Sequence, residues 1–166
     1  MVNDELRALA AEVATQLIAH KQVLTLAESC TGGLVSAVLT EIPGSSEWFD
    51  SGFVVYSNQA KLDMLNVKDY NIDMFGAVSE EVAADMAVGA LFQGRATISA
   101  SITGIAGPTG GTEQKPVGTV CFGWADINQP LITTTKHFTG NRAEIREQAT
   151  KACLDGLLSL TINSDL

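Results

Sequence analysis

With 166 residues and 46% apolar content, the chain is long enough to bury a core of its own and too apolar to be disordered. A formal net charge of −9 leaves no broad basic surface, which excludes nucleic acid as an expected partner. It does not exclude a small phosphorylated ligand, because a few backbone N–H groups and one or two cations can hold one phosphate. Cys30, Cys121 and Cys153 are scattered, with no CxxC and no Cys/His metal spacing, so neither a disulfide framework nor a zinc site is expected. The polar start Met1-Val2-Asn3-Asp4-Glu5 is unlike a signal peptide, and no apolar run reaches the roughly 18 residues of a membrane span. The expectation is a cytoplasmic protein with no membrane partner.

In chain order, Leu6, Leu9, Ala10, Val13, Leu17 and Ile18 fall at helical spacing and predict an amphipathic helix over 4–20, with Asp4 and Glu5 favourably placed in its first turn. Val23 to Ala27 is a short apolar run that reads as a buried strand. Thr31-Gly32-Gly33 follows and opens a second helix over 34–39, which a turn at Pro43-Gly44-Ser45-Ser46 ends. A strand is expected at Gly52 to Tyr56, then a helix capped at Ser57-Asn58 that carries Lys61, Met64 and Leu65. Residues 66–76 show no regular period. Ser79 predicts an N-cap, with Glu80 and Glu81 in the first turn of a helix running through Leu91. Thr97 to Thr103 alternates as a strand and runs into the Gly-rich stretch Gly104 to Gly111. Two further strands, 117–125 and 131–138, flank a turn at Asn128-Gln129-Pro130, and a terminal helix starts at Gly140-Asn141.

Strands interleaved with helices predict a single layered α/β/α domain over 1–166. The last two strands have no helix between them and predict a hairpin, so the sheet is expected to be mixed.

Three places can carry chemistry. A strand that ends in Glu28-Ser29-Cys30-Thr31-Gly32-Gly33 and opens a helix aims free N–H groups at one point, which suits a phosphate or an oxyanion. Ser29 there is either a nucleophile or an N-cap, and the pattern fits both. The turn does not match G-x-S-x-G. A serine nucleophile needs a base. His20 sits at a helix end and His137 in a strand, whereas Lys61, one turn into a helix at a strand end, can do the same work if its surroundings make it partly neutral. A solvated surface lysine is the plain alternative for Lys61. The second place is Thr103 to Gly118, glycine-dense but matching neither the Walker nor the GxGxxG pattern. The third is Arg142, with Arg146 one turn on. A cation at a helix start opposes the dipole and so points to an anion partner, or to a surface salt bridge.

Taken together, Ala27-Glu28-Ser29-Cys30-Thr31-Gly32-Gly33, Tyr56-Ser57-Asn58 with Lys61, Gly76-Ala77-Val78-Ser79, Gly104-Ile105-Ala106-Gly107-Pro108 with Gly110-Gly111, and Lys115-Pro116-Val117-Gly118-Thr119 closely resemble the CinA C-terminal domain family, which includes nicotinamide mononucleotide deamidases. The resemblance covers nearly the whole chain, with the motifs in family order. It implies hydrolysis of the carboxamide of nicotinamide mononucleotide to nicotinate mononucleotide and ammonia, in pyridine-nucleotide salvage, with no metal or redox cofactor. It implies Ser29 as nucleophile, Lys61 as base and Tyr56 as the residue orienting the pair. Amides around Thr31, Gly32 and Gly33 would serve the oxyanion or nearby ligand atoms. Thr103, Gly104, Gly107, Gly110, Gly111 and Arg142 would serve the ribose-phosphate end. It also implies a homodimer. The rival reading from a different class is a catalytically silent nucleotide-binding or regulatory module using the same loops.

Overall fold

The computed structural model describes residues 2–162. A five-stranded sheet with strand order β2-β1-β3-β4-β5 forms the middle of the fold. The strands are β1 (Leu24–Glu28), β2 (Phe49–Val54), β3 (Ile98–Gly104), β4 (Thr119–Asp126) and β5 (Gln129–His137). β1 pairs in parallel with both β2 and β3, while β3–β4 and β4–β5 are antiparallel, so the fold is α/β with a mixed sheet, as expected. The helices are α1 (Asp4–Ala19), α2 (Leu34–Thr40), α3 (Asn58–Leu65), α4 (Asp69–Phe75), α5 (Glu80–Gln93) and α6 (Arg142–Ile162), with one short 3₁₀ turn at Ser45–Glu47. Among the described residues, no helix is long and apolar enough to cross a membrane.

Alternation along the strands sorts the two faces. Leu24 and Leu26, Ile98, Ala100 and Ile102, and Val120, Phe122 and Trp124 join one apolar cluster with α1, α2 and α6. The opposite face of β3 carries Ser99 and Ser101, whose hydroxyls donate to the Ala87 and Ala83 carbonyls of α5 at 2.6 and 2.5 Å. Small residues are needed there: a Cβ on Gly123, in the neighbouring strand, would lie 2.7 Å from the Ala83 carbonyl oxygen. This close approach seats α5 on the sheet, and Val82, Met86 and Ala90 pack with Ala27, Val55 and Leu65 in a second cluster.

Three elements depart from the pattern-based expectation. β2 begins earlier and ends at Val54, so Val55 and Tyr56 lie beyond the strand. The β4–β5 hairpin turns on two residues, Ile127 and Asn128, with Asp126 opposite Gln129. The Asp126 carboxylate accepts from the Asn128 amide at 2.7 Å, an Asx-type turn that frees Gln129 and Pro130 to start β5. Pro130 is tolerated because β5 is an edge strand. Finally, 69–75 is helical despite its lack of period. α4 is short, and its buried residue is a polar one, Asn71, whose amide donates to Asp85 of α5 at 2.7 Å.

Candidate active site

The parallel strands β1 and β3 end side by side, and the chain leaves β1 directly into the Ser29 turn. The Ser29 amide is still tied to the sheet, donating to Ile102 O at 3.0 Å. The turn is then shaped by Glu28. Its carboxylate is 1% exposed and accepts from the amides of Gly33 (3.0 Å), Val35 (3.2 Å) and Ser36 (2.8 Å), and from the Ser36 hydroxyl (2.7 Å). A buried carboxylate is tolerated only when its acceptor sites are filled this way, and the start of α2 supplies the donors. Gly32 and Gly33 adopt positive φ of 58° and 95°, the left-handed conformation that lets the chain double back onto Glu28.

Lys61 is delivered from the other side. The Ser57 hydroxyl caps α3 by accepting from the Ala60 amide at 3.0 Å, and Lys61 lies in the first turn with its side chain pointing inward. It is 2% exposed. Its Nζ lies 3.1 Å from Ser29 Oγ, 3.1 Å from Val55 O and 3.3 Å from Tyr56 O. Carbonyl oxygens only accept, so two of these contacts fix two N–H bonds of the lysine. In the neutral amine the lone pair is then left facing the serine hydroxyl. Burial pushes the Lys61 ammonium below its ordinary value, which favours that neutral form. The early end of β2 is what leaves Val55 O and Tyr56 O available.

A cavity of about 180 Å³ opens on this pair. It is lined by Ser29, Cys30, Tyr56, Asn58, Lys61, Ala77, Val78, Thr103, Gly104, Ala106 and Arg142. Arg142 brings a permanent positive charge to it and none of the lining side chains is acidic, on a chain with net charge −9. Arg142, at the first position of α6, donates to Gly107 O at 2.7 Å and to the Tyr56 hydroxyl at 2.8 Å. Thr103 is 1% exposed, and its hydroxyl donates to Ala77 O at 2.8 Å. Cys30 lines the cavity as a neutral thiol, since burial pushes its pKa up to about 12. Neither histidine lines it. His20 Nδ1 lies against Gln16 O and His137 Nδ1 against Thr119 Oγ1.

The residues singled out by motif therefore divide. Ser29, Lys61, Thr103, Gly104 and Arg142 meet at one cavity. Tyr56 also lines it, but its phenol is turned to Arg142, and it is the Tyr56 backbone carbonyl that touches Lys61. Thr31, Gly32, Gly33, Gly107, Gly110 and Gly111 are not among its lining residues. The Gly32 and Gly33 amides are already committed, to Ser29 O at 3.0 Å and to Glu28 at 3.0 Å. Gly111 is held small by packing, as a Cβ there would lie 2.7 Å from the Val117 amide. The motifs did not assign roles to Asn58, Ala77, Val78 or Ala106, which line the cavity, nor to Glu28. An acidic residue shortly before a helix start is the signal that points to Glu28. Among the described residues there is no cluster of three metal-ligating side chains.

A mixed α/β sheet whose strand ends bring a buried serine and lysine together beside an arginine has the parts that acyl transfer calls for. The chain belongs to the CinA C-terminal domain family, which it matches over residues 6–161. It is 48% identical over 157 residues to the nicotinamide-nucleotide amidohydrolase PncC of Escherichia coli K12, covering 95% of each chain. It is 46% identical to the protein of the same name from Enterobacter agglomerans, covering 90% of this chain and 91% of that one. The crystal structure of the competence/damage inducible protein CihA from Agrobacterium tumefaciens superposes with a TM-score of 0.93 at 40% identity, covering 96% of this chain and 98% of that one.

Proposed function

We propose that this protein is an amidohydrolase that converts nicotinamide mononucleotide and water to nicotinate mononucleotide and ammonia, with Ser29 as nucleophile and Lys61 as general base. The observation that carries the reading is the set of three Lys61 contacts: two carbonyls occupy its N–H bonds and Ser29 Oγ, 3.1 Å away, is left for its lone pair. The names of the relatives supply the substrate.

In this mechanism the Ser29 hydroxyl proton passes to Lys61 Nζ as Oγ bonds to the carboxamide carbon, and the carbonyl electrons move to oxygen. When the oxyanion collapses, the C–N bond breaks and the Lys61 ammonium returns its proton to the departing nitrogen, which leaves as ammonia. Water then attacks the acyl ester, gives a proton to Lys61, and the ester bond breaks with that proton going back to Ser29 Oγ. One amide and one water are consumed; one carboxylic acid and one ammonia are formed.

The Arg142 guanidinium selects the charged end of the substrate. Among the described residues, Arg142 is held by neutral acceptors alone, Gly107 O and the Tyr56 hydroxyl. An incoming phosphate is a stronger acceptor for a guanidinium than either. The compartment proposed is the cytosol, where pyridine nucleotides are salvaged. The test is ammonia release from nicotinamide, its riboside and its mononucleotide, with Ser29→Ala as control. The mononucleotide is expected to be hydrolysed with the highest kcat/KM, and binding of it without ammonia release would favour the silent nucleotide-binding module instead.

A further inference from the structure

The amides of residues 29–36 can be followed one by one. Ser29 N donates to Ile102 O, Gly32 N to Ser29 O and Leu34 N to Thr31 O. Gly33 N, Val35 N and Ser36 N all donate to the Glu28 carboxylate. Glu28 therefore fills the start of α2 and leaves no room there for a second anion. Cys30 N and Thr31 N are the amides left: Thr31 N has no acceptor among the described residues, and Cys30 N meets only its own Sγ, a weak acceptor. Both residues are buried, at 5% and 0% exposure, and buried amides are almost always paired. Cys30 also follows the nucleophile directly and lines its cavity.

Behind the turn stands Arg146, in the second turn of α6. Its Nε donates to Cys30 O at 3.1 Å and its Nη2 to Thr31 O at 2.8 Å. It makes no ion pair among the described residues. In a planar trans peptide the N–H points opposite to the C=O. Holding Cys30 O therefore sets the direction of the Thr31 N–H, which belongs to the same peptide. Holding Thr31 O likewise sets the Gly32 N–H, and that group donates to Ser29 O at 3.0 Å. The Ser29 carbonyl in turn shares a peptide with the Cys30 N–H. Two chains of aligned peptide dipoles thus start from one guanidinium, one ending on the Thr31 N–H and the other on the Cys30 N–H. A cation at the head of such a chain polarises every bond along it in the same sense.

We propose that the amide of Cys30, which lines the cavity, is the oxyanion donor and that Arg146 is the positioning residue that aims it through the turn. This rests on the amidase reading above. Arg146 touches neither substrate nor the reacting atoms in this account, and acts only through the turn. Lysine cannot replace it, because a single ammonium does not present the fork that holds two carbonyls at fixed angles.

The test measures ammonia release against substrate concentration for the intact protein and for Arg146→Ala and Arg146→Lys, with nicotinamide mononucleotide as substrate. Loss of an aimed oxyanion donor lowers kcat by about 10²-fold while leaving KM within about threefold, because the oxyanion exists only in the transition state. Arg146→Lys keeps the fold and still loses at least about tenfold in kcat. Added guanidinium ion partly restores kcat in Arg146→Ala and does not raise that of the unsubstituted protein. If both variants keep kcat within about twofold, or if the loss sits in KM alone, the positioning role is wrong. Should Arg146→Ala not fold, Arg146→Lys decides alone by the same criterion. If the unsubstituted protein itself releases no ammonia, the amidase reading falls and this inference with it, a result distinct from an active protein indifferent to Arg146.

Discussion

Lys61 Nζ sits 3.1 Å from Ser29 Oγ, 2% exposed, and among the described residues its other partners are backbone carbonyls, with no carboxylate. A buried lysine without a counter-ion is costly to keep charged, and the fold holds it anyway. Its environment raises the population of the one form that can take a proton from the serine.

Stability and activity should therefore part at this position. Lys61→Met removes the burden of a desolvated amine while keeping the apolar stem. Turnover should fall by about 10³-fold or more, whereas the midpoint of thermal unfolding should rise by about 2–6 °C, on an expected gain of about 1–2 kcal/mol. Ammonia release and a thermal scan on the same preparation check both. A variant that is inactive and less stable would place Lys61 among residues that hold the fold together.

The pH dependence follows from the same downward shift. Lys61 must be neutral to accept the Ser29 proton, so kcat/KM should rise with pH through the lowered Lys61 pKa and level off below the ordinary lysine value of 10.5. The stability contribution has the same sign. The unfolded chain binds the lysine proton up to 10.5, while the folded protein releases it earlier, so stability increases with pH across that window. Urea unfolding at a series of pH values, compared with Lys61→Met, isolates this slope, which the variant should lack.

Arg142 and Tyr56 make a separate prediction about binding. Arg142→Ala should raise KM for the mononucleotide by about 10- to 100-fold, the range of one or two charge-assisted hydrogen bonds, with kcat changed far less. For the riboside, which lacks the phosphate, the same variant should change little. Tyr56→Phe, which removes only a neutral acceptor from the guanidinium, should cost no more than about threefold in either parameter. Steady-state kinetics on the two substrates separate a phosphate contact from a general defect.

Glu28→Ala removes the acceptor for four hydrogen bonds at the start of α2 and leaves three amides without their partner. A loss of about 2–4 kcal/mol in unfolding free energy is expected from denaturant titration. Cys30→Ala is the contrasting case. A thiol whose pKa is pushed up to about 12 is neutral at pH 7 and is no nucleophile there, so kcat should stay within about threefold.

What the amino-acid pattern could and could not convey follows from the range of the forces involved. Helices α1, α5 and α6 are legible because their apolar spacing or caps are local, and Ser79 and Ser57 accept from the amides their positions predict. α4 is not, because a short helix anchored through Asn71 and Asp85 leaves no apolar period to read. The serine and the lysine are each ambiguous alone, 32 residues apart; only the parallel pairing of β1 with β2 brings their elements together. The oxyanion groups are harder still. Glycine density draws attention to Gly32 and Gly33, yet glycine marks where the backbone must turn, and their N–H groups are spent on Ser29 O and Glu28. The amide left for the oxyanion belongs to Cys30, where no side-chain type announces it. Arg146 shows the same limit: a helix-start cation suggests an anion, and its partners turn out to be two carbonyls 115 and 116 residues away in sequence.

The most direct test of the central claim is ammonia release from nicotinamide mononucleotide by the unsubstituted protein and by Ser29→Ala, at saturating substrate and equal folded concentration. The account predicts ready release by the first and a loss of about 10³-fold or more in the second, with its secondary structure unchanged. Release by Ser29→Ala at the unsubstituted rate would contradict it, since no other group in the cavity stands ready to form the acyl-enzyme.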